Sequence, residues 1–398
     1  MHISHVLRRA RVRGDRRAIR VVSTLSVHPV ALAVAATLAV GLPSVAGAAD
    51  DLATVKSDVE QLKRDVAQAN EWRTVNSNVH LTGYAAVSYS APEAGDSSFG
   101  GTTFNPIFHY LYKDLLLLEA ELEIELEDDG ATATALEYLT LDLFVNDYLT
   151  VIAGKFLSPI GQFRQNLHPA WINKLPSAPL GFGHEGAAPL SDVGLQLRGG
   201  VPLGPAKVNY AVYTGNGPKL ELNGVGTEIE AVMSEGFGAD NNENKVVGAR
   251  IGVLPVPNLE IGASAATGST LDDTGATGKR DYDVIGADAA LQIAGLDLRA
   301  EYVRSEIGAG PVAAVDPGEK QWKTWYGQAA YRIPGTPLEA VARFGKFTPP
   351  GANPTEQWAV GVNYVFAANV IAKLAYEAND TEGVEDDDRA LAQIAYGF

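Results

Sequence analysis

The chain has 398 residues, a formal net charge of −17 and no cysteine. That balance argues against nucleic acid as a partner, and the missing thiols exclude a disulfide framework and zinc-thiolate sites. Beyond the first 48 residues no stretch offers about 18 consecutive apolar residues, so this chain crosses a bilayer only as a closed barrel.

The N-terminus has the layout of an export signal. Arg8, Arg9, Arg11, Arg13, Arg16, Arg17 and Arg20 form a basic head, an apolar run from Val30 to Leu42 follows, and Ala46-Gly47-Ala48 is an A-x-A cleavage site. Residues 1–48 are therefore expected to be a signal peptide, with the mature chain starting near Ala49. Arg16-Arg17 also admits a twin-arginine reading, but the head lacks the usual flanking pattern. Either route leads out of the cytoplasm. The segment carries seven arginines against one aspartate, so the remainder is more acidic than the whole chain.

Residues 49–72 read as a short helix. Leu52, Val55, Val59, Leu62, Val66 and Ala69 alternate at spacings of three and four, which places them on one seam. About three heptads are marginal as an isolated helix in water, so partner chains are expected to bury the seam in a coiled coil, as a homotrimer. The plainer alternatives are an amphipathic helix lying on the barrel mouth or a spacer.

From Val79 onward the period becomes two, as in strands that put alternate side chains on opposite faces. In the run from Leu118 to Glu127, Leu118, Ala120, Leu122, Ile124 and Leu126 share one face. Glu119, Glu121, Glu123, Glu125 and Glu127 share the other. Five aligned carboxylates demand water on their side while the leucines demand hydrocarbon, and a wall between bilayer and aqueous lumen supplies both. Sixteen such segments follow one another: 79–90, 102–112, 115–128, 133–145, 148–157, 192–200, 206–214, 245–254, 258–267, 282–293, 296–305, 322–333, 338–347, 356–366, 369–378 and 389–398. Their connections alternate between short turns and long polar loops such as Thr214 to Asn244. The predicted fold is all-β, a transmembrane antiparallel barrel of about 16 strands occupying 79–398, with external loops at one end and periplasmic turns at the other. A soluble β-sandwich would need a second apolar face, and these strands are read as offering one.

The last strand puts Ala390, Ala392, Ile394, Tyr396 and the terminal Phe398 on one face. It resembles the C-terminal signature of outer-membrane barrels, which implies the barrel assembly machinery as a partner, with outer-membrane lipid and lipopolysaccharide around the wall. Any lipid-facing strand ending in an interfacial aromatic would look similar.

The third external loop, 157–191, is the longest and is expected to fold into the lumen as a constriction. The run AGKFLSPIG from Ala153 to Gly161, followed by NLHPAWINKLP from Asn166 to Pro176, is similar to the phosphate-selective porin O/P superfamily, including its DcaP-like members with an N-terminal coiled coil. The resemblance covers the mature chain in outline and is specific around Leu149 to Leu180. It implies a homotrimeric outer-membrane channel without fixing one substrate.

Strand alternation places Arg198, Arg250, Arg299, Arg332, Arg343 and Lys373 on the lumen face, opposite the glutamates of the third strand. The constriction loop adds Arg164, His168 and Lys174, with Lys155 at its root. Opposed charges across a narrow passage orient polar solutes and bias ion passage. The expected function is passive diffusion of small hydrophilic solutes and ions, leaning to anions such as phosphate or carboxylates. The chain is sparser in basic residues than the resemblance implies for phosphate selection, and the plain reading of most of these charges is that they solvate the wall.

Enzyme signatures do not fit. Gly181-Phe182-Gly183-His184-Glu185-Gly186 matches G-x-G-x-x-G without the strand, helix and βαβ setting that a dinucleotide site requires, and reads as a flexible loop. H-E-x-x-H and G-x-S-x-G are missing from the sequence, and a lipase with His109 or His168 as base is the remaining, weaker option. No cofactor is implied. The acidic run Glu382 to Asp388 suits divalent cations bridging lipopolysaccharide, though a solvated loop explains it as well. A non-channel alternative is a structural anchor, in which the N-terminal helix tethers the cell wall and the barrel only holds it in the membrane.

Overall fold

A computed structural model of the chain describes residues 56–57, 59–64, 77–184, 186–384 and 387–398. The expected signal peptide, most of the 49–72 helix and two residues of the acidic 382–388 run lie outside the described residues. Residues 56–57 and 59–64 are helical, and the seam positions Val59 and Leu62 are exposed. Lys63 Nζ sits 2.9 Å from Glu60 one turn away, a surface pair that adds little stability.

From Ser77 onward the chain is a closed antiparallel barrel. Its first strands are β1 (Ser77–Pro92), β2 (Thr102–Tyr112), β3 (Leu116–Leu126), β4 (Thr132–Asn146), β5 (Leu149–Leu157), β6 (Ser191–Leu203) and β7 (Ala206–Gly215). A separate two-stranded hairpin, β8 (Lys219–Leu222) and β9 (Ile229–Met233), interrupts the wall. The wall resumes with β10 (Val246–Val256), β11 (Leu259–Thr270), β12 (Arg280–Ile293), β13 (Leu296–Ile307) and β14 (Lys320–Arg332). It finishes with β15 (Leu338–Thr348), β16 (Thr355–Ala367), β17 (Val370–Thr381) and β18 (Arg389–Gly397). Since β7 pairs with β10, sixteen strands form the wall, and β1 closes it by pairing with β18 from Tyr84↔Gly397 to Pro92↔Arg389. A ring of this strand number encloses an aqueous path.

Alternation decides which side chains meet lipid. Leu139, Leu141 and Leu143 on β4, Val360 and Val362 on β16, and Ile394 and Tyr396 on β18 are exposed on the outer face. One β-bulge breaks the alternation where it matters. Glu121 pairs with Tyr138 and Leu122 with Leu136, so Glu137 is the extra residue, and Glu137 and Tyr138 are both buried. A bulge turns two successive side chains to one side, and here that side is the lumen.

The interior differs from the expectation that each strand has a single apolar face. Inward positions toward the loop end of β10 and β12–β14, among them Val246, Tyr282, Val284, Val303, Ile307, Trp322 and Tyr326, form a buried apolar cluster. Ile160, Phe163 and Phe182 from the 158–190 loop and Leu220, Ile229 and Val232 from the β8–β9 hairpin complete it. These inward residues are apolar because they pack protein, not water. For the same reason the 214–244 stretch, expected as a polar loop, folds into a hairpin with Ala231 fully buried.

Candidate functional site

The 158–190 segment, here the inner loop, crosses the lumen and is tied to walls on both sides. At its start Gly161 has φ +77, and a Cβ there would lie 2.5 Å from Glu301 Oε2. That bare position lets Gln162 N and Phe163 N donate to Glu301 Oε2 at 2.8 and 3.2 Å, while Tyr326 Oη donates to Oε1 at 2.6 Å. A single π-helical turn, Phe163–Leu167, then carries Arg164 to the β3–β4 wall, where it pairs with Glu137 of the bulge. His168 follows, with Nδ1 2.5 Å from Arg164 O and Nε2 3.8 Å from Glu121.

The second half of the loop is held by β13–β18. Lys373 Nζ donates to Ala170 O at 2.5 Å, to Leu175 O at 3.3 Å and to Gln393 Oε1 at 2.8 Å. Lys174 Nζ reaches Glu339 at 2.8 Å, and Asn363 Nδ2 donates to Lys174 O at 2.9 Å. Arg343 donates to Ser177 O at 3.0 Å, to Ser177 Oγ at 2.7 Å and to Ala178 O at 3.1 Å. Thr324 Oγ1 donates to Leu180 O, and Ser305 Oγ to Ala187 O, each at 2.5 Å. Loop carbonyls without a regular partner must find donors when buried, and inward wall side chains supply them.

These contacts sort the sequence-predicted residues. Arg343 and Lys373 are fully buried beneath the inner loop and do not line open lumen. Arg164 and Lys174 are spent on Glu137 and Glu339. Lys155 is misplaced by the sequence reading: it pairs across from Leu139, whose side chain faces outward, and its Nζ donates to Leu136 O at 2.6 Å. The glutamates are not a free hydrated stripe either. Glu121 is fully buried and accepts from Tyr84 Oη at 2.8 Å, and Glu119 accepts from Tyr138 Oη at 2.9 Å. Glu123 and Glu125 share their face and are half-buried. Arg332 lies on the inward side at the turn end of β14, half-buried, with its amide donating to Gly295 O at 2.8 Å. Within the G-x-G-x-x-G run Phe182 is buried and His184 is exposed, and just beyond it Ala188 N donates to Gly181 O.

Arg198, Arg250 and Arg299 do come together. They line one open space of about 650 Å³ between the inner loop and β5–β7 and β10–β13, with Gln162, Asn166, Asn209, Glu260 and Glu301 around it. Arg250 lies against Asp288 at 2.6 and 3.0 Å, Glu260 at 2.9 Å and Asn209 at 2.9 Å. Gly262 makes room for this cluster, since a Cβ there would meet Arg250 Nη2 and Asp288 Oδ2 at 2.5 Å. Arg299 is chelated by Asp297 at 2.7 and 2.9 Å. Arg198 reaches Asp142 at 3.2 Å, and here the cation is the accessible end, 43% exposed against 2% for the carboxylate. Sequence reasoning missed these acidic partners. The alternation Asp297, Arg299, Glu301 on one strand face was the available signal.

The described fold is similar to OmpF of Salmonella typhi (TM-score 0.57, 13% identity, 81% of this chain and 98% of that one). It is also similar to an anion-selective porin from Comamonas acidovorans (0.56, 14%, 81% and 100%) and to the outer-membrane channel DcaP of Acinetobacter baumannii (0.53, 12%, 81% and 97%). No curated protein matches the chain at a significant level. Family and fold together point to an outer-membrane channel rather than an enzyme. The sequence model described as Gram-negative porin matches residues 31–384, and the chain belongs to that family.

Proposed function

We propose that this barrel passes small hydrophilic solutes and ions by passive diffusion, that its inner loop sets the narrowest point, and that it favours anions such as phosphate or carboxylates. The observation that carries the reading is the inner loop, pinned across the lumen beside an open space walled by Arg198, Arg250 and Arg299. A loop tied at both walls narrows a pore without closing it. Preference for anions rests on Arg198, whose guanidinium is the accessible end of its pair. It is modest, because Arg250 and Arg299 are each matched by carboxylates, and phosphate specificity of the kind the O/P superfamily implies would need more uncompensated basic groups.

The remaining parts of the proposal follow from the sequence. Residues 1–48 are removed on export, the 49–72 helix stands in the periplasm, and three chains assemble with their Val59 and Leu62 seams together. One of the structurally similar proteins, OmpT of Vibrio cholerae, is known in a trimer form. Planar-bilayer recording tests the reading: conductance should appear in steps grouped in threes, and a salt gradient should give a zero-current potential of the anion-selective sign. A silent bilayer would favour the anchor alternative, and potassium passing more readily than chloride would reverse the selectivity.

A further inference from the structure

The inner loop leaves a second, smaller chamber on its other side, about 170 Å³, against β2–β6. Its lining is unusual in what it lacks. Asp142 and Gln196 are each fully buried, yet Asp142 Oδ1 and both Gln196 side-chain polar atoms have no hydrogen-bond partner. His168 Nε2 is a further buried polar atom in the chamber lining without a partner. Such atoms cost about 1–3 kcal/mol each when left unpaired, so four in one lining mark a space built for a polar guest.

The polarity of that guest can be read from the donors already used. His168 Nδ1 faces the Arg164 carbonyl, which has no proton to give, so Nδ1 carries a proton, and Nε2 stands 3.8 Å from Glu121. Tyr84 and Tyr138 spend their hydroxyl protons on Glu121 and Glu119, and carboxylates only accept. The chamber therefore offers Asp142 Oδ1, Gln196 Oε1 and the glutamate oxygens as acceptors, with Gln196 Nε2 and the free N–H groups of Arg198 as donors at its edge. Three carboxylates, Glu119, Glu121 and Asp142, stand there against Arg198. The remaining neighbouring cation on the loop, Arg164, is taken by Glu137.

We propose that this chamber binds a small alkylammonium ion, best a short diamine carrying two positive charges. A bare metal ion is disfavoured, because among the described residues no three carboxylate or imidazole groups converge closely enough to hold one. Spread-out acceptors call for a guest with several N–H donors on an extended frame. At about 30 Å³ for each water-sized unit the space takes about five heavy atoms, the size of 1,3-diaminopropane. Arg198 lines both this chamber and the larger lumen space, so the guest reaches the chamber from the channel past that side chain.

Calorimetric titration of the full, detergent-solubilised protein at neutral pH with 1,3-diaminopropane, malonate and magnesium chloride tests this. Expected is saturable diamine binding at one site per chain, with no saturable heat from malonate and none of comparable tightness from magnesium. Gln196→Leu and Asp142→Asn should each weaken diamine binding at least tenfold while the protein keeps its heat-modifiable migration on denaturing gels. Should either variant fail to fold, the wild-type comparison still decides. No saturable diamine binding, magnesium binding as tight as the diamine, or undiminished binding in both folded variants would overturn the proposal.

Discussion

Arg343 Nη2 lies 3.5 Å from Glu377 Oε1 in the barrel interior, the arginine 1% exposed and the glutamate not at all. The same guanidinium holds two carbonyls and a hydroxyl of the inner loop, so one residue joins the wall charge to the loop that divides the lumen. Breaking a buried pair from one side leaves a stranded charge, which costs about 3–5 kcal/mol. Arg389 Nε remains 2.8 Å from Glu377 as a second partner, which places the cost of Arg343→Met at the lower end of that range. The variant should unfold at lower temperature by circular dichroism and show noisier single-channel current, because the second half of the loop loses its anchor. Quiet current with an unchanged melting temperature would show that Arg343 anchors nothing.

Gly161 and Glu301 make the matching joint at the start of the loop. Gly161→Val brings a branched side chain to a backbone with φ +77, against a carboxylate that a Cβ would approach to 2.5 Å, so the substitution meets both strain and a clash. It should pull Gln162 N and Phe163 N away from Glu301 and change conductance more than barrel stability, since the wall hydrogen bonds are untouched. Conductance within the wild-type range would refute this. Gly161→Ala should show the same effect in weaker form.

How much of this was legible beforehand depended on whether a residue answered to its own strand or to a distant loop. All sixteen wall strands were readable, because alternation between lipid and interior is a local, period-two property. The β8–β9 hairpin was not, since Leu220 and Ile229 are apolar in order to pack against Val246 and Ile307, residues far away in sequence. Lumen charges were placed on the correct face for Arg343 and Lys373 but given the wrong task. Strand parity says that a side chain points inward and says nothing about whether loop carbonyls wait there. Lys155 was misassigned at the level of parity itself, because it was read as part of the loop root while its strand still faces Leu139.

Selectivity gives the third prediction. Arg198 is the exposed member of its pair, so Arg198→Glu reverses the accessible charge on that wall and adds a second carboxylate beside Asp142. Lumen charges act on ions at close range in a partly dry passage, where opposite sign is worth more than in bulk water. The zero-current potential in a potassium chloride gradient should move toward cation preference, while Arg343→Lys, a change beneath the loop, should leave it where it was. Equal shifts in both variants would mean that the two arginines meet the permeating ion alike.

The loop joining β11 to β12, outside the membrane-spanning strands, offers a test by pH. Asp272 Oδ1 accepts from Thr277 N at 2.8 Å and Thr277 Oγ1 at 2.7 Å, and Oδ2 accepts from Thr274 N at 2.8 Å and from the Thr274 hydroxyl. Burial alone would push this carboxyl up, but the four donors outweigh it and hold it well below the usual carboxylate range. A depressed native value means that the stabilisation is fully present above the unfolded value, about 3.9, and is lost as pH falls through the native one. The 271–279 loop should therefore resist proteolysis unchanged from neutrality down to about pH 4 and open only in stronger acid. Asp272→Asn turns an acceptor into an NH2 group facing donors, a mismatch costing about 1–3 kcal/mol. Its loop should be cut faster at neutral pH and with no added sensitivity in acid; a wild-type loop already opening at pH 5 would show that the threonines do not hold the charge.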